Sequence, residues 1–332
     1  MATFAVLGAG GWGTAVAVVL AARPGVRVRL WAAREASGRQ LMEMRENVRQ
    51  LPGVPIPRAV EITTDPAVAA GADCWVTAVP TAHLRATLDR LRPFAGDVPV
   101  VSLTKGIEQG TFRRPTQVIN EVLGPRRVAA VSGPSHAEEV ARGMPTSVVA
   151  ASPDAELAGW VQRHFGGDRL RVYTNHDLAG VELAGALKNV IGVAAGVADG
   201  LGFGDNAKAA LLARGLVEMT RFGVAHGAEP ATFAGLAGVG DLITTCFSKH
   251  GRNRRAGERL AQGVTLAALA AGPQVAEGLY TAKSVADRAA AMGLDVPIMS
   301  GVHQVLYAGL SPAVAVRELM ARAQRGENTF LG

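Results

Sequence analysis

Cysteine, lysine and aromatic residues are all scarce in this 332-residue chain. The two cysteines, Cys74 and Cys246, lie far apart and match no metal-ligand spacing, which excludes a disulfide-rich scaffold. We expect two buried thiols in a reducing compartment, although a single disulfide between them stays open. Aromatic residues make up 5% of the chain and no dense Lys/Arg run is interleaved with them, so we expect no nucleic-acid partner. The formal net charge of +6 is compatible with small anionic ligands.

The chain also lacks a basic segment ahead of its uncharged run from Phe4 to Ala22. Hydropathy alone would assign a membrane span or a signal peptide to this run. It contains four glycines, however, and a strand, a tight turn and a buried helix explain it better. No other stretch comes close to a membrane span by its sequence. We therefore expect a cytoplasmic protein without integral membrane association.

The length favours two domains, and an apolar content of 48% lets each bury a core. Short β-branched runs alternate with helical patterns up to about Asn175, and only helical patterns follow. Candidate strands are Thr3–Leu7, Val26–Trp31, Cys74–Ala78, Val98–Ser102, Val128–Val131, Ser147–Ala151 and Arg171–Tyr173. This order predicts an α/β fold, with an N-terminal Rossmann-type doubly wound parallel sheet followed by an all-α C-terminal domain. We place the first domain at residues 1–180 and the second at 181–332.

A glycine motif directly follows the first predicted strand and opens a helix. The segment from Gly8 to Gly13 has the spacing G-x-G-x-x-G. In a dinucleotide site Gly8 permits the tight turn, Gly10 lets the backbone approach a pyrophosphate, and Gly13 lets the helix pack on the strand. A glycine-rich turn without a ligand is the alternative, but the flanking elements favour dinucleotide binding.

The choice of cofactor depends on the end of the second strand, where NAD enzymes usually carry an acid for the ribose hydroxyls. The chain has Arg34 there, and a guanidinium suits the 2′-phosphate of NADP. Glu35 follows at once, and a shift of one residue would favour NAD. We therefore expect NADP(H) to be preferred and NAD(H) also to be accepted, with a solvated surface role for Arg34 as the alternative.

Lysine occurs at only five positions, and two of them lie in segments typical of active sites. Lys188 lies in a mainly apolar helical stretch, where burial should lower its pKa toward a value useful for proton transfer. Lys105 follows a predicted strand, at the edge of the sheet where ligands gather. A lysine extending to solvent at 188, and an ordinary loop lysine at 105, remain the alternatives.

Further polar candidates lie in glycine-rich or basic segments. Ser135 and Glu138 have capping-box spacing and predict a helix start that also suits an anion. Asp241 is expected within a glycine-rich turn, and Glu277 within a turn-like segment. The segment from Gly251 to Arg255 is a basic cluster whose arginines suit a phosphate, or else form a solvated face. The histidines show no ligand spacing, so we assign no metal.

Together these segments resemble bacterial NAD(P)-dependent glycerol-3-phosphate dehydrogenase. The resemblance covers nearly the whole chain in order and spacing. The matching segments are GAGGWGT, the Lys105 turn, GPSHAEEVARG, ELAGALKNV, LGFGDNAKAALLARGLVEM, TFAGLAGVGDLITTC, GRNRRAG and VAEG.

The resemblance implies a role for each matching residue, and it implies a homodimer that supplies glycerol 3-phosphate for phospholipid synthesis. By this likeness Lys188 accepts a proton when glycerol 3-phosphate is oxidised and donates it in the reverse direction. Beside Gly8, Gly10 and Gly13 of the glycine motif, the implied cofactor-binding residues are Gly11, Trp12, Arg34, Lys105, Ala137, Arg252, Val275 and Glu277. The implied substrate-binding residues are Lys105, Gly133, Ser135, Lys188, Asp241, Gly251, Arg252 and Asn253.

Two departures from the family pattern and two rival functions remain open. Gly251 stands where the family often has serine, so a side-chain bond is lost there, and Trp12 replaces smaller aromatics. One rival is a two-domain dehydrogenase of a 3-hydroxy acid or a sugar acid, whose carboxylate the Arg252 cluster would also suit. The other is a non-catalytic cofactor sensor, which would need the glycine loop but not Lys188, Asp241 and Arg252 together.

Overall fold

The computed structural model describes residues 1–248, 250–272, 276–324 and 326, and divides into two compact units. The first unit comprises Met1–Thr104 and Pro115–Leu178, and the second comprises Lys105–Arg114 and the described part of Ala179–Gly332. The segment Lys105–Arg114 therefore interrupts the first unit in sequence and belongs to the second unit.

In the first unit, strands alternate with helices. This unit also contains two short 3₁₀ turns, at Pro66–Ala69 and Arg92–Phe94. Its strands are β1 (Ala2–Leu7), β2 (Val26–Trp31), β3 (Glu46–Asn47), β4 (Leu51–Pro55), β5 (Val60–Thr63), β6 (Cys74–Thr77), β7 (Val100–Ser102), β8 (Val128–Ser132), β9 (Thr146–Ala151) and β10 (Leu170–Asn175). Its helices are α1 (Gly11–Ala21), α2 (Glu35–Met44), α3 (Thr81–Leu91), α4 (Pro115–Leu123), α5 (Ala137–Ala141) and α6 (Ala155–Phe165).

Eight of these strands form one sheet in the order β10-β9-β8-β7-β6-β1-β2-β5. The chain starts at β1 in the interior, builds to β2 and β5 on one side, and then crosses to β6 on the other. The carboxyl end of β1 is therefore the point where the strand order reverses, which is where open α/β sheets bind ligands.

Both faces of this sheet are buried, as helices on each side require. Phe4 and Val6 of β1 pack into one apolar cluster, whereas Ala5 and Leu7 pack into a second cluster on the opposite face. Successive side chains of a strand point to opposite faces, so an unbroken apolar run supplies both cores at once. This confirms the predicted doubly wound sheet, and it explains why Phe4–Ala22 is uncharged: the run forms β1, the glycine turn and α1.

The structure corrects several details of the predicted first unit, and it adds the short antiparallel pair of β3 and β4, which was not predicted. The strand β5, which pairs in parallel with β2, was not predicted because its four residues follow a proline-interrupted segment. The pair β8 and β9 is antiparallel, so the sheet is mostly rather than wholly parallel. The predicted capping box at Ser135 is wrong, because His136 occupies the N-cap of α5 and makes no side-chain capping bond. The Ser135 hydroxyl instead donates to the Gly133 carbonyl oxygen at 2.8 Å.

The second unit is helical in its described residues. Its helices are α7 (Leu178–Gly200, whose first residue belongs to the first unit), α8 (Asp205–Val224), α9 (Pro230–Phe233), α10 (Asp241–Phe247), α11 (Arg252–Ala261), α12 (Leu266–Ala270), α13 (Glu277–Met292), α14 (Pro297–Tyr307) and α15 (Pro312–Met320). Two predicted turns were wrong. Leu236–Gly240 forms a short π-helix that leads directly into α10 at Asp241, and Glu277 is the first residue of α13.

Helix α7 has the length and hydropathy of a membrane span, which contradicts the expectation that only Phe4–Ala22 comes close to one. In the structure 94% of its most apolar window is buried inside the protein. Two glycine contacts show how tightly it packs against α11. A Cβ on Gly196 would lie 1.8 Å from the Arg254 carbonyl oxygen, and one on Gly257 would lie 2.0 Å from that of Val193. These contacts fix the start of α11 against the helix that carries Lys188.

Candidate active site

The glycine turn after β1 has the geometry that a dinucleotide loop requires. Gly8 has φ +115°, and a Cβ there would lie 2.7 Å from the Ala78 carbonyl oxygen. A Cβ on Gly13 would lie 1.9 Å from the Gly8 carbonyl oxygen, so helix α1 packs directly on the turn. Gly10 is the N-cap of α1 and Gly11 its first residue. The amides at the start of this helix are the groups that bind a pyrophosphate in the Rossmann fold.

Two side chains that the motif does not include hold this loop in place. Asn47, which is buried, donates from its amide to the Ala9 carbonyl oxygen at 3.1 Å and to the Thr14 hydroxyl at 3.0 Å. The exposed Gln50 places its Oε1 atom 3.0 Å from the Gly11 backbone nitrogen, which donates to it. An uncharged oxygen therefore lies where a phosphate oxygen would accept the same hydrogen bond. The loop fits a dinucleotide because one of its N-terminal amides already binds an oxygen from outside the helix.

Trp12 and Arg34 have different surroundings. Trp12 is half-buried and packs against the small cluster of Ala15, Leu51 and Val54. Its ring therefore supports the loop through packing. Arg34 is exposed at the N-cap of α2, three residues beyond the end of β2. Glu35 is exposed beside it and begins the helix. The tip of β2 thus carries a guanidinium, as the sequence predicted.

The predicted substrate residues of the first unit lie between β8 and α5. Gly133 has φ +126°, and a Cβ there would lie 3.1 Å from the Val148 Cα, so this turn requires glycine. Ser135 donates within the turn, and Ala137 is the first residue of α5.

Four polar side chains cluster in the second unit: Lys188, Asp241 and Thr245 are buried, and Lys105 is partly exposed. The Nζ atom of Lys188 lies 3.2 Å from Oδ1 of Asp241 and donates to the Thr245 hydroxyl at 2.6 Å. The Nζ atom of Lys105 lies 2.8 Å from Oδ2 of the same carboxylate. Lys188, Asp241 and Thr245 are each at most 7% exposed. One carboxylate therefore lies between two ammonium groups, and the cluster has a net positive charge when both lysines are protonated.

Burial and charge set the protonation of this cluster. Burial lowers the pKa of Lys188 to about 8, although the charge of Asp241 acts in the opposite direction. Lys105 adds a further lowering effect on the pKa of Lys188 through like-charge repulsion. Burial by itself would raise the pKa of Asp241, but the charges of Lys105 and Lys188 more than offset this and lower it. Lys188 is thus a lysine whose neutral form is accessible near physiological pH, whereas Asp241 stays ionised.

A chain of amide hydrogen bonds surrounds the cluster. Asn189 donates to the Lys105 carbonyl oxygen at 3.1 Å, and Asn253 donates to the Asn189 side-chain oxygen at 2.8 Å. The Gly278 backbone nitrogen donates to the Asn253 side-chain oxygen at 2.9 Å. This network connects the Lys105 segment to α7, to the start of α11 and to the start of α13. Asn253 thus has a positioning role that the sequence did not indicate.

The start of α11 presents the predicted basic cluster. Gly251 is the N-cap, and a Cβ there would lie 2.7 Å from the Thr245 carbonyl oxygen, so this backbone position is tightly confined. Arg252 is exposed as the first residue of the helix, whereas Asn253 is buried. Glu277 begins α13 beside Gly278. Val275, the remaining predicted cofactor residue, lies outside the described residues.

Sequence reasoning missed Thr245 and Asn189 as members of this site. Thr245 lies four residues after Asp241 on α10, and that spacing places both on one face of a helix. Asn189 directly follows Lys188. Both cysteines are buried and free, as expected. Within residues 1–248, 250–272, 276–324 and 326, no three His, Cys, Asp or Glu side chains are grouped as a metal site would need.

Comparison with known proteins identifies the family. The model of the NAD-dependent glycerol-3-phosphate dehydrogenase N-terminus matches residues 3–158, and that of its C-terminus matches residues 177–317. A relative from Thermus thermophilus named glycerol-3-phosphate dehydrogenase (NAD(P)+) is 52% identical over 97% of this chain and 99% of its own length. Another with that name, from Salinibacter ruber, is 46% identical over 97% of this chain and 95% of its own.

A solved structure agrees with these matches. The crystal structure of glycerol-3-phosphate dehydrogenase from Coxiella burnetii superposes with a TM-score of 0.92 at 38% identity, covering 97% of this chain and 99% of that one. The resemblance noted in the sequence and the predicted oxidoreductase class are both confirmed. The chain belongs to the NAD-dependent glycerol-3-phosphate dehydrogenase family.

Proposed function

We propose that this chain catalyses the reversible, NAD(P)-dependent oxidation of glycerol 3-phosphate to dihydroxyacetone phosphate, with Lys188 moving the proton. The observation that carries this proposal is the buried Lys188 amine, held against Asp241 and Thr245. Family membership supplies the substrate class, and the geometry supplies the proton carrier. We keep the assignment of residues 1–180 to the cofactor and of residues 181–332 to the catalytic lysine, although the segment Lys105–Arg114 belongs to the second unit.

The glycine loop and Arg34 are the groups that would hold the dinucleotide. When bound, the nicotinamide supplies or accepts the hydride. The amides at the start of α1 would hold the pyrophosphate, with the Gly11 nitrogen donating to it in place of Gln50, and Arg34 would favour NADP(H) over NAD(H). Trp12, Lys105, Ala137, Arg252, Val275 and Glu277 are assigned further contacts by family likeness.

Lys188 performs the proton transfer in both directions. In oxidation its neutral amine accepts the proton from the C2 hydroxyl of glycerol 3-phosphate as the hydride leaves that carbon. In reduction its ammonium donates a proton to the ketone oxygen of dihydroxyacetone phosphate. Asp241 stabilises the ammonium form and holds Lys105 nearby, so that a second positive charge is available to an anionic substrate.

The rate should depend on pH in opposite directions for the two reactions. Because only the neutral amine accepts a proton, kcat/KM for oxidation should rise with pH and level off above the pKa of Lys188, about 8. Because only the ammonium donates one, kcat/KM for reduction should fall through the same range. Initial rates across this range, with cofactor affinity measured in parallel, test the assignment. An oxidation profile that stays flat across this pKa would contradict it.

Substrate phosphate is assigned to Arg252 and the start of α11, with Gly133, Ser135, Gly251 and Asn253 completing the substrate set. Replacing Arg252 with alanine should raise KM for dihydroxyacetone phosphate about 10- to 100-fold, because a hydrogen-bonded charge is removed. Arg259→Ala is the matched control, since that exposed arginine lies in the last turn of the same helix. Equal KM values for the Arg252 and Arg259 variants would mean that the phosphate binds elsewhere.

The experiment that tests the function is reduction of NADP+ and NAD+ by sn-glycerol 3-phosphate, beside glycerol and a 3-hydroxy acid. Reduction with the phosphorylated alcohol alone supports the proposal. Reduction with the hydroxy acid instead would favour the rival dehydrogenase, and cofactor binding without any reduction would favour the sensor. The sensor does not account for the joint presence of Lys188, Asp241 and Arg252, and membership of the glycerol-3-phosphate dehydrogenase family disfavours the other dehydrogenase.

The remaining assignments concern the setting of the reaction. We propose a cytoplasmic homodimer that supplies glycerol 3-phosphate for phospholipid synthesis, which is supported by likeness to the family. The two free, buried cysteines are compatible with a reducing compartment.

A further inference from the structure

The tip of β2 carries a second arginine that the sequence motifs do not include. Arg90, from the last turn of α3, donates from Nη1 to the Ala33 carbonyl oxygen at 3.1 Å. Its guanidinium carbon lies 5.2 Å from the centre of the Trp31 ring. Arg90 therefore lies beside the backbone residue that directly precedes Arg34, although the two arginines are 56 positions apart in the chain.

The packing of α3 fixes the position of Arg90 on the protein surface. Leu88 and Leu91, which flank it in α3, are fully buried in the same apolar cluster as Trp31. The Trp31 indole nitrogen donates to the Thr64 carbonyl oxygen at 3.1 Å, which fixes the ring beneath the guanidinium. The fixed Trp31 ring and the Ala33 carbonyl oxygen thus orient the Arg90 side chain. Because the side chain is already ordered, it loses less conformational entropy when it binds a ligand.

The tip carries a net positive charge, because Arg34 and Arg90 outnumber the exposed Glu35. Arg34 and Arg90 are both exposed, and among the residues that the structure describes neither forms an ion pair with a carboxylate. One N–H group of Arg90 donates to the Ala33 carbonyl oxygen. Two arginines without acidic partners suit a phosphate dianion better than they suit uncharged ribose hydroxyls.

We propose that Arg90 is a second specificity-determining residue for the 2′-phosphate of NADP(H), acting beside Arg34. In a Rossmann fold the adenosine ribose lies at the end of the second strand, which here is the tip formed by Trp31 to Arg34. This inference rests on the proposed cofactor role of the first unit, and it adds a residue that lies far from the glycine motif. The plain alternative is that Arg90 only binds the Ala33 carbonyl oxygen and covers Trp31.

Equilibrium binding distinguishes the two readings without any turnover. We expect Arg90→Met, which keeps an apolar stem over Trp31, to raise the Kd for NADPH about tenfold and to leave the Kd for NADH within about twofold. Arg85→Met is the matched control, since Arg85 lies on the same helix but pairs with Glu121 at 2.8 Å. Calorimetric titration of the intact chain with each nucleotide gives both constants, and adenosine 2′,5′-bisphosphate against 5′-AMP isolates the 2′-phosphate.

Each outcome has a defined meaning. A loss confined to NADPH and the bisphosphate supports the proposal. An equal loss for NADPH and NADH, or no loss for either, would overturn it, because Arg90 would then act on the fold or not at all. A negative result for Arg90 can be distinguished from a failure of the proposed function. An Arg90 variant with unchanged Kd values that still reduces dihydroxyacetone phosphate would remove only the specificity role.

Discussion

Replacing Lys188 with alanine is expected to lower turnover in both directions by about 10²- to 10⁴-fold, with cofactor affinity unchanged. The amine is the only group in the proposed mechanism that both gives and takes the proton. Methionine at the same position fills the space without a charge and should be equally inactive, which separates lost chemistry from a cavity in α7. Steady-state rates and a cofactor titration on each variant measure the two effects.

A matched control for this variant is Lys283→Ala. Lys283 lies half-exposed on α13 and pairs with Asp287 at 3.0 Å, so its loss should leave turnover near that of the original chain. Thermal unfolding of all variants checks that the Lys188 substitutions fold. A folded Lys188 variant that retains near-normal turnover would remove Lys188 from the mechanism.

Asp241→Asn is expected to have the second large effect, on stability as well as on rate. The carboxylate is 3% exposed and lies between two ammonium groups, and removing one partner of a buried ion pair costs roughly 3–5 kcal/mol in free energy of unfolding. Without Asp241 the pKa of Lys188 should fall further, because its largest charge-stabilising contact is lost. Denaturant unfolding and the pH dependence of oxidation measure these changes.

A second substitution makes the Asp241 prediction sharper. If unpaired positive charge causes the loss of stability, adding Lys105→Met to Asp241→Asn should recover part of it. The effects of the two substitutions on the free energy of unfolding would then not be additive. Asp287→Asn, which removes a carboxylate that is 59% exposed, should change stability by less than about 1 kcal/mol. An Asp241 variant as stable and as active as the original chain would contradict the electrostatic description of the cluster.

Local patterns were enough to predict the features that depend on nearby residues. The glycines from Gly8 to Gly13 could be interpreted because a strand precedes them and a helix follows. The burial of Lys188 followed from the apolar residues around it on one helix, and the structure places it at 7% exposure. The same reasoning placed Arg34 at the end of β2.

Contacts between distant segments could not be predicted in the same way. Asn47 and Gln50 bind the glycine loop from about 40 residues away along the chain, and no motif marks them. The capping box at Ser135 failed because α5 starts one residue later than predicted, with His136 at its N-cap, and the Ser135 hydroxyl donates to the Gly133 carbonyl oxygen. Asp241 was placed in a turn because its glycines allow one, whereas in the structure they form a π-helix that leads into α10.

The most direct test of the central claim is oxidation of NADPH and NADH with dihydroxyacetone phosphate, beside unphosphorylated dihydroxyacetone. We expect rapid oxidation with the phosphorylated ketone only, faster with NADPH than with NADH. No oxidation of either cofactor, in protein shown to bind NADPH, would contradict the assignment of this reaction to the chain.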